Sequence, residues 1–351
     1  MICGRNGCPG LLASCRTNSA LGRRWPALGR NSPRLADDVW AVRDSFAMVA
    51  SMKTFMKSGS FRAFAWLSLL SVEVLLAQAG QDERFTIMLG GSMTGTGDLE
   101  YRGNGSGEVE TFRYQIEGSY EIPLNDRWIF EVGGEYERME ADHDMQNSPV
   151  PENLSKIALT LGAYRKIDDH WGISAALAPG LYGDDEVDSS DALNVPFRLM
   201  GHWNKSEDLS VIFGFRVDTF SDSELMPILM VNWEISPQWE LIAGVPRTVV
   251  TYQWNDNLNL YGGVDFAVGG SYAVDDENVV SPRRGRSLRD TYVTESEIRA
   301  MIGVDYRLDS GVRLKFEAGY AFDRSFDYHE RDVELEMDSA SFAGLSVSYA
   351  F

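Results

Sequence analysis

The chain has 351 residues, with 32 Lys and Arg against 52 Asp and Glu, for a net charge of −20. That balance argues against a nucleic-acid binder, which needs a basic face to neutralise phosphates. With 44 % hydrophobic residues and 11 % aromatics the chain is too apolar for disorder. Apart from one segment near the N-terminus, it lacks the run of about 18 uncharged apolar residues that a helical membrane span requires.

The first eighty residues differ in kind from the rest. They hold 10 basic and 4 acidic residues, leaving 22 against 48 in the remainder. All three cysteines, Cys3, Cys8 and Cys15, fall in the first fifteen residues, so no disulfide framework or cysteine nucleophile exists beyond them. Residues 1–51 read as a mis-assigned or disordered leader. Residues 52–79 read as a secretory signal peptide. Lys53, Lys57 and Arg62 form its basic region, Phe64 to Leu76 its apolar stretch, and Ala77-Gln78-Ala79 a small-x-small cleavage site. Translation would then begin at Met52 or Met56 rather than Met1. Residues 80–351 form one domain.

From Phe85 onward the dominant period is two, that of a β-strand. Fourteen segments show it, at about 84–96, 109–122, 127–140, 154–167, 170–182, 193–203, 208–220, 226–235, 238–245, 247–254, 257–274, 296–308, 311–324 and 339–351. Most reach the roughly 9–11 residues of a tilted membrane-crossing strand. The pair at 238–254 is the shortest, and without it the count is twelve. Leu258, Leu260, Gly262, Val264, Phe266 and Val268 share one face, as do Val312, Leu314, Phe316, Ala318, Tyr320 and Phe322.

Short turns at Asn125-Asp126, Asp168-Asp169, Lys205 to Glu207, Ser236-Pro237, Asn255-Asp256 and Asp309-Ser310 alternate with longer loops. Those loops fall at 97–108, 141–153, 183–192, 221–225, 275–295 and 325–338, and only Pro246 breaks the rule. Short turns on one side and long loops on the other predict an all-β, closed, antiparallel up-and-down transmembrane barrel. Trp128, Trp171, Trp203, Trp239 and Trp254 each lie beside a short turn, as an interfacial girdle requires.

The last residues, Leu345-Ser-Val347-Ser-Tyr349-Ala-Phe351, alternate and close on Phe. This resembles the terminal assembly signal of bacterial outer-membrane β-barrel proteins, carried here by Tyr349 and Phe351. Within that class the chain is most similar to functionally uncharacterised, porin-like barrels. The resemblance implies a Gram-negative outer membrane, the barrel-assembly machinery as a transient partner, and lipid and lipopolysaccharide as surroundings. It implies a channel for small polar solutes, with a closed structural or binding barrel as the alternative. Some long-chain fatty-acid transporters share the strand number, but such a transporter carries an N-terminal plug, for which Gly80 to Arg84 are too short.

Nothing points to catalysis, a metal or a cofactor. His143 and His329 fall in loops, His170 in a turn and His202 toward the lumen, with no metal-ligand spacing. Inward positions read as polar or small and include Glu117, Glu131, Glu135, Arg198, Arg299, Arg307 and Arg313. The long loops are acidic except for Arg283, Arg284, Arg286 and Arg289. Those four, at the channel mouth, would set a positive field, or else touch anionic headgroups.

Overall fold

The computed structural model describes residues 85–101, 105–145, 148–281 and 287–350. The leader, the signal segment, Arg283, Arg284, Arg286 and Phe351 lie outside the described residues.

Seventeen strand segments follow in order: β1 Phe85–Tyr101, β2 Gly105–Pro123, β3 Trp128–His143, β4 Asn153–Lys166, β5 Trp171–Leu177, β6 Gly180–Gly183, β7 Leu193–Asn194, β8 Phe197–Asn204, β9 Leu209–Val217, β10 Leu225–Ser236, β11 Trp239–Val245, β12 Arg247–Gln253, β13 Leu258–Val274, β14 Thr291–Arg307, β15 Arg313–Tyr328, β16 Val333–Met337 and β17 Ala340–Ala350. β5 with β6, β7 with β8, and β16 with β17 are each two pieces of one span, so the described residues form fourteen spans. Neighbouring spans pair antiparallel. β17 returns to β1 from Thr86↔Ala350 to Thr94↔Phe342, and the sheet closes into a barrel.

Alternation explains the wall. On β15, Phe316 and Tyr320 face out, 44 % and 54 % exposed, while Lys315 and Glu317 face in. The same outward rule exposes Ile116, Ile157, Leu159, Leu229 and Ile302. So much exposed apolar surface on one continuous outer face fits a bilayer and not water. No helix among the described residues is long and apolar enough to cross a membrane.

Three features depart from the sequence expectation. First, bulges break the alternation. The register shifts between Asp265 and Val268, so Val268 pairs with Glu297 on the lumen face instead of continuing outward. On β15 the chain turns at Asp323, φ 52°, after which Arg324, Phe326 and Tyr328 face inward and are buried. Second, two expected loops, 97–108 and 325–338, are largely strand, and the loop at 275–295 gives its last five residues to β14. β2 begins at Gly105, β14 at Thr291, and only residues 329–332 separate β15 from β16. These strands continue past the apolar band because their inner faces pack on one another there.

Third, the wall is uneven. β11 and β12 have 7 residues each, whereas β13 and β14 have 17. Above the β11–β12 hairpin the spans from β1 to β7 and from β13 to β17 close over the barrel. Gly183 at the end of β6 reaches Ala273 on β13, and the Asp184 N–H donates to the Ala273 carbonyl at 3.1 Å.

Candidate functional site: the lumen

The loop-side half of the lumen is filled. Leu99 on β1, Val109 on β2, Met139 on β3, Leu154 on β4, Tyr272 on β13, Val293 on β14, Phe326 and Tyr328 on β15 and Leu335 on β16 are all at most 2 % exposed and share one apolar cluster. Val150, Val279 and Leu288 join it from the loops. The expectation of polar or small inward residues therefore fails in this half. Here the inner faces of many spans meet each other instead of water, and large apolar side chains fill the space.

The loops are pinned over this plug. The Tyr328 hydroxyl donates to the Pro149 carbonyl at 2.9 Å, and the Val280 N–H donates to that of Ser148 at 2.9 Å. Asp184 is buried, and its carboxylate accepts four backbone N–H groups. Glu186 and Val187 donate from its own loop, Asp275 and Asp276 from the loop after β13. Burial raises the Asp184 carboxyl above its ordinary value, and the four N–H groups oppose that rise. Asp185 is paired with Arg138 by two hydrogen bonds, 2.8 and 2.7 Å, which hold its carboxyl below the usual range.

Beneath the plug lies a charged layer. Glu135, Glu137, Glu295 and Glu297 stand against Arg113, Lys156, Arg299 and Arg324, four charges of each sign. Arg113 bridges Glu137 and Glu295, and Lys156 bridges Glu135 at 2.6 Å and Glu137 at 3.2 Å. Arg299 pairs with Glu297 and donates to Ser92 Oγ and Thr94 Oγ1, both at 3.3 Å. Arg324 reaches Glu297 at 3.6 Å and donates to the Asp338 carbonyl at 3.2 Å. Buried charges persist only when paired and hydrogen-bonded. The layer crosses the lumen, since Arg113 sits on β2 and Glu295 on β14.

The short-turn half is wetter. Arg247 and Lys315 both pair with Glu317, at 3.0 and 2.6 Å, and their side chains are 21 % and 29 % exposed. Arg313 contacts Asp305 at 3.4 Å. Glu117 is half-buried in the wall, Glu131 is buried, and Arg307 is exposed at the short-turn end. One lumen stripe is apolar: Met200, Ile228 and Met230 are buried together, with Ile212 against them. His202 faces the lumen as expected, and its Nε2 lies 2.8 Å from Ser174 Oγ, a partner that the sequence left unnamed. Among the described residues no cluster of three or more His, Cys, Asp or Glu is arranged to hold a metal ion.

Of the four loop arginines, Arg289 is described. It pairs with Asp275 at 3.0 Å and Glu277 at 3.1 Å on its own loop. Trp128, Trp171 and Trp239 open strands after short turns, and Trp203 and Trp254 lie at strand ends before them. Trp171 stacks on Trp203 with centroids 6.0 Å apart. Tyr349 pairs with Ile87 in the closing seam.

Comparison with solved structures returns membrane channels. A mutant of the TodX monoaromatic hydrocarbon channel is 11 % identical, with a TM-score of 0.45 over 77 % of this chain and 91 % of that one. A Pseudomonas aeruginosa FadL homologue is 11 % identical, with a TM-score of 0.44 over 76 % and 90 %. An outer membrane channel from Pseudomonas putida F1 is 12 % identical, with a TM-score of 0.41 over 78 % and 97 %. No curated protein matches the chain. The family profile described as domain of unknown function DUF6268 matches residues 102–350, and the chain belongs to that family.

Proposed function

We propose that this DUF6268 member is a bacterial outer-membrane transport barrel whose axial route is shut at rest. The observation that carries the reading is the pair of stacked barriers, an apolar plug over an electroneutral layer of ion pairs, in a barrel whose short-turn half is polar and hydrated. An ion on the axis would have to break buried pairs and then enter an apolar core, and both steps are costly. The signal segment 52–79 delivers the chain to the periplasm, the assembly machinery reads Tyr349 and Phe351, and lipid and lipopolysaccharide surround the wall. No catalytic role is included.

A porin-like channel for small polar solutes is the second reading, favoured by the mixed charges of the short-turn half, Arg307, Arg313, Glu117 and Glu131 among them, with Arg299 in the ion-paired layer above. In that reading Arg283, Arg284, Arg286 and Arg289 sit at the mouth, and replacing all four with Ser shifts the reversal potential toward cations. Liposome swelling in small sugars separates the two. Heat-modifiable, membrane-inserted barrel that gives no swelling supports the shut barrel. Swelling at porin-like rates replaces it with the second reading.

A further inference from the structure

The low stretch of wall at β11 and β12 leaves a window in the strand ladder, with the side chains behind it packed together. A strand tilted by about 40° climbs about 2.5 Å per residue, so seven residues rise about 18 Å, short of the roughly 25 Å apolar band of an outer-membrane barrel. The flanking spans continue upward. The ladder of β10 with β11 ends at Leu229↔Val245, yet β10 runs on to Leu225. The ladder of β12 with β13 ends at Arg247↔Asp265, yet β13 runs on to Val274. Two missing strands leave three inter-strand spacings, about 14 Å.

The window is framed on all sides. Its sill is the Val245-Pro246-Arg247 turn. Its lintel is the loop from β9 to β10, whose Phe220 stacks on Tyr292 of β14 at 4.3 Å between centroids. The outward residues of the frame are apolar and exposed: Leu225 59 %, Leu229 56 %, Val245 44 % and Phe266 42 %. The membrane-facing band thus reaches above the sill. Strand edges without ladder partners are tolerated at membrane depth only where protein covers them or a cavity lies behind.

Behind the jamb a buried apolar stripe runs along the lumen wall, with Arg216 on the row above it and Asn232 below. Ile228 faces inward one residue above the end of the ladder, and Met230, Ile212 and Met200 continue from it toward the hydrated half. Gly214 and Gly244, paired with Ile228 and Met230, add no side chain on that face. The path lies in the wall of β8 to β10, whereas the charged layer is built on β2, β3, β4, β14 and β15.

We propose that this window is a lateral portal through which a small apolar molecule passes between the outer-leaflet acyl chains and the short-turn half of the lumen. The proposal rests on the shut-axis transport reading and names its substrate class and route. The membrane-facing side of the frame, Leu225, Leu229, Val245 and Phe266, favours an apolar molecule over a charged one, and Arg247 and Asp265 stand on its lumen side.

The test uses the full chain, which has no cysteine beyond Cys15. Ile228→Cys is expressed in cells with intact lipopolysaccharide, and uptake of the apolar fluorophore N-phenyl-1-naphthylamine is followed. The portal predicts uptake several-fold faster than in vector cells. A bulky cationic methanethiosulfonate should abolish most of that gain in the variant and none of it in wild type. Reductant should restore it, which shows that the barrel stayed folded. Fast uptake that survives the block at position 228, and is blocked instead in Gln115→Cys on the far lumen wall, overturns the portal and leaves transport standing. Heat-modifiable wild-type barrel in the outer membrane that gives no gain over vector overturns transport and portal together.

Discussion

The Tyr272 hydroxyl on β13 donates to Glu137 Oε1 on β3 at 3.5 Å, across a barrel in which those spans stand six places apart. Glu137 also takes Arg113 and Lys156, so one carboxylate ties together four spans. The contact fixes where the apolar plug ends and the ion-paired layer begins.

Removing the central cation should therefore be severe. Arg113→Ala leaves Glu137 and Glu295 without their shared partner and should cost about 3–5 kcal/mol. The double replacement Arg113→Leu with Glu295→Leu should cost less than the single one, because it removes a buried charge of each sign. Urea unfolding of the refolded barrel in lipid vesicles reads both.

Acid should loosen the loop over the plug. Arg138 holds the Asp185 carboxyl below its unfolded value of about 3.9, so the pair contributes stability above that value and loses it as pH falls through the lower, folded one. Proteolysis of the loop 184–192 by an acid-active protease should rise as pH drops from about 4 toward 2. Asp185→Asn should show that higher sensitivity already at about pH 4. Equal sensitivity at both pH values would remove the pair from the account.

The tight hairpin at Pro246 depends on Gly244, which sits at φ 145°, where a Cβ would collide with the Leu229 carbonyl oxygen. Gly244→Ala should destabilise by about 1–3 kcal/mol. The Thr248 hydroxyl accepts from the Gly244 N–H at 2.9 Å and donates to its carbonyl at 3.0 Å, so Thr248→Val should cost about 1 kcal/mol for each bond lost. Denaturant midpoints in vesicles check both.

All six tryptophans beyond residue 79, Trp233 included, lie near short turns. In lipid vesicles their fluorescence should be quenched more by bromines near the headgroups than by bromines deep in the chains. Stronger deep quenching would contradict the girdle.

The wall was legible because its signal is local. The period of two, the short turns and the tryptophans beside them specify fourteen spans without any distant contact. The plug was not legible. Leu99 and Phe326 read as loop residues until the bulges at Thr94–Gly97 and Asp323 redirect their strands, whereas Val109 keeps the inward face of Arg113. A single-residue register shift flips a whole face and leaves little trace in the sequence. Ser174 was missed for a different reason. Its pairing with His202 follows from the β5–β8 register, in which Ser174 opposes Met200, beside His202.

Single-channel recording in a planar bilayer tests axial closure most directly. Wild-type barrel, folded by heat-modifiability in the same sample, should give no steady ohmic steps at low voltage. A variant with Tyr272→Ala and Phe326→Ala, which removes two large side chains from the plug, should give them. Steady ohmic steps from wild type at low voltage would contradict the account.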